Sequence, residues 1–182
     1  MLKTDWKINH SWSIFLDRDG VINERVFGGY ITRVEDFKFI PGVLRAVEIF
    51  SKEFKHTFIV TNQQGIGKGI MTESNLLEIH TYMCDQFEKN NGFISKCLFA
   101  PNLRGAIPDF RKPNSAMANM AKEEFPAIDF DKSIMVGDTD SDILFGKNVG
   151  MKTVRIKTDE PIGLEADLTV NNLLELAKLI EQ

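Results

Sequence analysis

The chain has 182 residues, 43% of them hydrophobic and 26% charged, with a formal net charge of −4. That length suits one domain with its own core, and the ordinary composition excludes a fibrous or low-complexity chain. The acidic balance excludes a general nucleic-acid binder, which needs a basic face against phosphates, although a few local cations would serve a small anionic ligand. Fourteen Phe against two Tyr and two Trp point to an apolar, Phe-packed interior. No stretch approaches the roughly 18 apolar residues of a membrane span. Met1 to Asn9 alternates apolar residues with Lys and Asp, unlike a signal peptide. Cys84 and Cys97 are the only cysteines and form no Cys-x-x-Cys pair. They are expected as buried, reduced thiols in a cytoplasmic protein.

In chain order, Ser13–Leu16 is a short apolar strand that stops at Asp17. Val43–Phe54 has helical spacing behind Pro41 and Gly42. His56–Val60 is a second strand, ending at Thr61. A long helix runs from Thr72 to about Asn90, with Thr72, Glu73 and Asn75 as a capping-type start. Ile94–Phe99 reads as a strand and Asn114–Phe125 as a helix behind Pro113. Ser133–Val136 is a strand stopping at Gly137-Asp138, and a helix follows to about Asn148. Lys152–Ile156 and Asp167–Val170 are short strands, and Asn172–Ile180 is a closing helix.

Strands alternating with helices predict an α/β fold: a Rossmann-like three-layer sandwich around a mainly parallel sheet, in a single domain spanning 1–182. Ligands of such sheets bind beyond the carboxyl ends of the strands. Asp17, Thr61 and Asp138 each follow a strand, so this topology predicts that they share one rim.

Four segments carry polar chemistry there. Asp17-Arg18-Asp19-Gly20 offers two carboxylates followed by a glycine that lets the chain turn and present N–H groups to an anion. Alone it would read equally as a solvated strand-to-turn junction. Thr61-Asn62-Gln63 offers a hydroxyl and amides suited to phosphate oxygens, or is an ordinary polar turn. Arg111-Lys112-Pro113 is a cation pair before a helix, or solvated charge. Gly137-Asp138-Thr139-Asp140-Ser141-Asp142 crowds three carboxylates after an apolar strand. They could cap the helix, but carboxylates without His or Cys partners also favour a hard cation such as Mg²⁺.

The ordered series Asp-x-Asp-Gly, Thr, Lys-Pro and Gly-Asp-x-x-x-Asp resembles the motif series of the haloacid dehalogenase (HAD) superfamily from Asp17 to Asp142. Asp-Arg-Asp-Gly-Val-Ile-Asn, Thr-Asn-Gln and Arg-Lys-Pro are most similar to the group that holds histidinol phosphatases and D-glycero-D-manno-heptose-1,7-bisphosphate 7-phosphatases. The resemblance implies a Mg²⁺-dependent phosphatase. In it Asp17 is the nucleophile that forms an aspartyl phosphate, and Asp19 is the general acid/base. It implies a metal held by Asp17, the Asp19 main-chain carbonyl and Asp138, with Asp142 supporting them. Arg18, Thr61, Asn62, Gln63, Arg111 and Lys112 are the expected substrate- or phosphate-binding residues. Neither the Asp17–Thr61 nor the Thr61–Lys112 interval has room for a separate cap domain. Loops Glu24–Tyr30, Gln64–Gly69 and Pro101–Phe110 are therefore expected to set specificity.

The sequence departs from this group in two places. Relatives carry a three-Cys, one-His zinc clip before Arg-Lys-Pro, where this chain has Ala100, Asn102, Pro108 and Phe110. No structural zinc is expected, and the loop should be held by Pro101, Pro108 and packing of Leu103 or Phe110. Thr139 stands where relatives often have a Lys that helps bind substrate. The expected partner is a small phosphorylated metabolite, foremost a sugar bisphosphate, with Arg25, Arg33, Lys68 and Arg104 as candidates for its second phosphate. No nucleic acid or membrane partner is expected, and the chain is expected to act as a monomer. Histidinol phosphate is the alternative substrate. A phospho-Asp signalling receiver is the alternative class, but receivers lack an acid two residues after the acceptor.

Overall fold

Six short strands organise the chain: β1 (Ser13–Leu16), β2 (His56–Asn62), β3 (Lys96–Ala100), β4 (Ser133–Gly137), β5 (Lys152–Ile156) and β6 (Leu168–Val170). The computed structural model describes residues 6–181, so the start of the Met1–Asn9 segment and the last residue of the expected 1–182 domain lie outside the described residues. The strands pair in the order β3-β2-β1-β4-β5-β6, and every pairing is parallel. The mainly parallel sheet expected from sequence is thus wholly parallel among the described residues.

Both faces of the sheet are covered, which is why its central strands read as unbroken apolar runs. On one face Ile14, Leu16, Ile59, Ile134 and Val136 join a core shared with α1 (Val43–Glu53), α3 (Glu73–Lys89) and α6 (Leu173–Ile180). On the other, Phe15, Phe58, Val60 and Met135 pack with α4 (Ala116–Glu124) and α5 (Asp140–Asn148). Phe15 and Phe58 stack on neighbouring strands with ring centroids 4.8 Å apart. Each fully buried Phe contributes about 1.5–3 kcal/mol of transfer free energy.

Boundaries shift where tertiary pairing overrides local pattern. β2 continues through Thr61 to Asn62 because both residues pair with β3. β3 begins at Lys96, two residues after its expected start, and α4 begins at Ala116 rather than Asn114. The expected start of α3 is present: Thr72 Oγ1 accepts from the Asn75 N–H at 3.1 Å and Asn75 Oδ1 accepts from the Thr72 N–H at 3.0 Å. The Gln64–Gly69 loop contains one helical turn, α2 (Gln64–Gly67). Cys84 on α3 and Cys97 on β3 are free but only half-buried, with their sulfurs 3.9 Å apart. No helix among the described residues is long and apolar enough to cross a membrane.

The 101–110 loop has no regular structure and is not held as expected. Leu103 and Phe110 are 44% and 40% exposed, so their packing does not secure it. Polar ties do: Gly67 N–H donates to Pro101 O at 3.0 Å, Arg111 Nη1 to Asn102 O at 3.3 Å, and Arg111 N–H to Asp109 Oδ1 at 3.0 Å. A Cβ at residue 67 would lie 2.6 Å from Pro101 O, so this close approach requires glycine.

Candidate active site

Asp17 is the first residue past β1, and its N–H extends the ladder to Val136 O at 2.9 Å. Immediately afterwards the chain turns, with the Arg18 carbonyl accepting from the N–H groups of Val21, Ile22 and Asn23. Gly20 makes the turn possible at φ 92°, and a Cβ there would sit 2.4 Å from Asp138 Oδ2. Glycine therefore serves twice, by admitting a left-handed backbone and by letting the β1 turn approach the carboxylate after β4.

Three carboxylates converge at this rim. Asp17, Asp138 and Asp142 each offer an oxygen, and these oxygens lie within 4.8 Å of one another. All three residues are buried. Burial and the charge of Asp142 push the Asp17 carboxyl up to about 6, against the opposing pull of Lys112. Burial and the charge of Asp17 push Asp138 up to about 7, with Arg25 opposing. Lys112 reaches in from the β3–α4 connection, and its Nζ lies 2.7 Å from Asp17 Oδ1, 2.6 Å from Asp142 Oδ1 and 2.7 Å from Val60 O. Burial alone would lower its pKa, but Asp142 and Asp17 raise it, so it stays charged.

Asp19 is held differently. Arg18 Nη2 donates to both its oxygens at 2.9 Å, Asn23 Nδ2 to Oδ1 at 3.0 Å and Gln63 Nε2 to Oδ2 at 3.0 Å. Burial would raise this carboxyl, but the Arg18 charge and these donors win and hold it below the usual carboxylate value. Gln63 Nε2 also donates to Thr61 Oγ1 at 2.8 Å, which ties the two motifs together.

A HAD-hydrolase-like family model matches residues 109–175. A D-glycero-alpha-D-manno-heptose-1,7-bisphosphate 7-phosphatase of Campylobacter jejuni is 36% identical, over 81% of this chain and 83% of its own. The chain belongs to the HAD-like hydrolases. A D-glycero-beta-D-manno-heptose-1,7-bisphosphate 7-phosphatase of Haemophilus ducreyi is 32% identical to this HAD-like hydrolase, over 92% of this chain and 97% of its own. The solved D,D-heptose 1,7-bisphosphate phosphatase of B. bronchiseptica, complexed with magnesium and phosphate, shares its fold with a TM-score of 0.83. It covers 93% of this chain and 97% of its own, at 20% identity.

Within this HAD-like hydrolase the expected site residues separate into those that line the working cavity and those that hold others in place. A cavity of about 190 Å³ opens onto Asp17, Asp19, Thr61, Lys112 and Arg25. A neighbouring lobe of about 180 Å³ runs under the 24–30 loop, a flap over the rim, beside Arg25, Tyr30 and Gln63. Arg18, expected to bind substrate, borders the second lobe but is 1% exposed, and its Nη2 donates to both Asp19 oxygens, with Nη1 3.5 Å from His80 Nε2. Asn62, also expected to bind substrate, borders both lobes and pins the Lys112 backbone: its Oδ1 accepts from Lys112 N–H at 2.9 Å and its Nδ2 donates to Lys112 O at 3.2 Å. Arg111 borders the cavity but donates to the 101–110 loop.

Thr139 caps α5, its Oγ1 donating to Asp142 Oδ2 at 2.6 Å. Asp140, the extra acid of the fourth motif, accepts from Gly163 N–H at 2.9 Å, Leu164 N–H at 3.2 Å and Arg155 Nη2 at 2.6 Å. It staples the loop after β5 and takes no part in the cluster. Of the second-phosphate candidates, Arg33 pairs with Asp36 and is largely exposed, whereas Lys68 lies over the Tyr30 ring at 5.4 Å, beside the second lobe. One residue escaped the sequence reading of the site. His80 sits buried against Arg18 with its pKa lowered to about 3, chiefly by burial and then by the Arg18 charge. Its signal was its place on the α3 stripe with Leu76, Ile79, Met83 and Phe87. Arg25, one of the second-phosphate candidates, contacts Asp138 directly.

Proposed function

We propose that this HAD-like hydrolase is a Mg²⁺-dependent phosphomonoesterase working through Asp17, and that it removes the 7-phosphate of D-glycero-D-manno-heptose 1,7-bisphosphate. One observation carries the chemistry: Lys112 Nζ lies 2.7 Å from Asp17 Oδ1 in the same cluster as Asp138 and Asp142. Relatives of both anomeric types support the substrate, and the paired lobes beside Asp19 suit a substrate longer than a simple monoester. Two neighbouring free thiols suit a reducing cytoplasm.

The donor set fits Mg²⁺, a hard cation that favours oxygen ligands. Asp17, Asp138 and the Asp19 main-chain carbonyl would hold it. Asp142 supports them, because its Oδ1 is paired with Lys112 and its Oδ2 with Thr139. When bound, the ion supplies positive charge where the phosphoryl group gains negative charge in the transition state.

Asp17 attacks phosphorus with the oxygen that Lys112 does not occupy. Like charges oppose this approach, and the fixed charge of Lys112 offsets the repulsion without reorganising. Lys112 donates to Asp17 and Val60 and pairs with Asp142, so its charge acts on the phosphoryl group from beside Asp17. Asp19 starts as an anion, held so by Arg18, Asn23 and Gln63. A phosphate dianion alongside raises its pKa, so Asp19 takes up a proton from solvent as substrate binds and gives it to the alkoxide oxygen as the P–O bond to the sugar breaks. As an anion again, it accepts a proton from the water that hydrolyses the aspartyl phosphate. Gln63 and Arg18 fix its direction in both halves. A Mg²⁺-supplemented panel of both heptose bisphosphate anomers, histidinol phosphate and common sugar phosphates tests the substrate. Selective turnover of one heptose anomer is expected, and equal, poor rates on every compound would overturn the assignment.

A further inference from the structure

Arg25 borders the substrate cavity and takes no part in the proposed phosphoryl transfer. It stands on the flap after the β1 turn, with its side chain 23% exposed. Its Nη2 donates to Asp138 Oδ1 at 3.1 Å and to the main-chain oxygen of Asp19 at 3.2 Å. Its Nη1 pairs with Glu160. Nη2 thus holds the Asp19 carbonyl oxygen and one of the two Asp138 carboxylate oxygens, atoms of two of the three residues assigned to Mg²⁺ under the proposed function. A guanidinium nitrogen and this ion cannot use them together. Mg²⁺ demands ligands at about 2.0–2.1 Å in near-octahedral geometry, and two cations at contact in a poorly screened site repel strongly.

We propose that Arg25 competes with Mg²⁺ for Asp138 and the Asp19 carbonyl, so that metal binding releases this guanidinium from the cluster into the substrate cavity. The inference rests on the metal assignment above. The geometry supports a swing rather than a wholesale loss of the flap. Glu160 gives it a pivot: its N–H donates to Thr158 Oγ1 at 3.3 Å, and farther along the same loop Gly163 N–H donates to Asp140 Oδ2 at 2.9 Å and Arg155 Nη2 to Leu164 O at 2.9 Å. The neighbouring flap side chains resist little, since Val26 is 47% and Phe27 71% exposed. Arg25 also borders both lobes of the cavity, so release leaves it facing the substrate. There it would supply a mobile positive charge, whereas the donors of Lys112 are committed to Asp17, Asp142 and Val60.

Calorimetric titration of Mg²⁺ alone into the metal-free wild type, Arg25→Gln and Arg25→Lys tests this. The apparent dissociation constant scales inversely with the fraction of chains whose site is free, so a site blocked nine times in ten binds about tenfold more weakly. Both variants are expected to bind Mg²⁺ about tenfold more tightly than wild type. Lys keeps the charge but lacks the planar fork that reaches Glu160, Asp138 and Asp19 together. Tighter binding in Arg25→Gln with wild-type binding in Arg25→Lys would mean long-range charge alone and would overturn the competition. Unchanged or weaker binding in both variants would also overturn it. Absence of Mg²⁺ binding in all three proteins would instead overturn the metal assignment on which the inference stands.

Discussion

Lys112 and Arg25 neutralise the same carboxylate cluster from opposite sides, and they are held in opposite ways. Lys112 is buried, its three donors are matched by Asp17, Asp142 and Val60, and Asn62 clamps its backbone. Arg25 is partly exposed, sits on a flap with little apolar anchoring, and holds oxygens assigned to the metal. A cation that must stay through the reaction is built into the core. A cation that must yield is placed at the partly exposed edge, where an incoming metal can take over its charge on Asp138. A buried carboxylate suffers most when its cation is removed and nothing replaces the charge.

The largest effect is therefore expected at Lys112. Lys112→Met keeps the bulk but leaves Asp17 and Asp142 facing each other without a cation. Turnover of an aryl phosphate should fall by about 10³-fold or more. Stability should fall by about 3–5 kcal/mol, read by denaturant unfolding. A loss no larger than that in Arg25→Gln would break the contrast between the two sides.

Asp138→Asn probes the other side and should separate function from stability. Mg²⁺ binding and turnover should be lost. The Asp138 carboxyl is raised from 3.8 to about 7, so between those values the folded chain holds a proton that the unfolded chain has released. Stability of the metal-free wild type should thus decline as pH rises through this window, by up to about 1.4 kcal/mol per unit from this group. The variant should show a shallower decline, measured by unfolding at pH 5 and pH 8.

His80 carries the opposite sign. Its pKa is lowered from 6.5 to about 3, so the folded chain binds fewer protons than the unfolded chain between these values. Its contribution is present above about 6.5 and is lost as pH falls toward 3, again by up to about 1.4 kcal/mol per unit. His80→Gln should flatten that acid-side loss while leaving the alkaline-side behaviour of Asp138 in place. A smaller effect is expected from Gln63→Ala, which removes one donor from Asp19. The acid limb of the pH–rate profile should move upward and the rate should fall by roughly tenfold, in line with loss of one outer partner.

The sheet was legible because its strands are buried on both faces and so appear as unbroken apolar runs such as Ser13–Leu16 and Ser133–Gly137. The rim followed from one topological rule, which brings Asp17, Thr61 and Asp138 together across the chain. The division of labour among the polar neighbours was not legible. Arg18, Asn62 and Gln63 carry donors that could face a phosphate as readily as a carboxylate, and only the packed structure turns them toward Asp19 and Lys112. The 101–110 loop misled for a related reason: its apolar residues looked like anchors, yet a glycine on another segment and the Arg111 side chain secure it.

The central claim is that Asp17 forms the covalent intermediate while Asp19 moves protons. It is tested most directly in Asp19→Asn, given Mg²⁺ and an aryl phosphate whose leaving group needs no acid. A burst of phenol stoichiometric with enzyme, followed by a stall, is expected, with proteolytic peptides carrying a phosphoryl group on Asp17. Steady phenol release without a phosphorylated peptide, or a phosphoryl group on any other residue, would contradict the account.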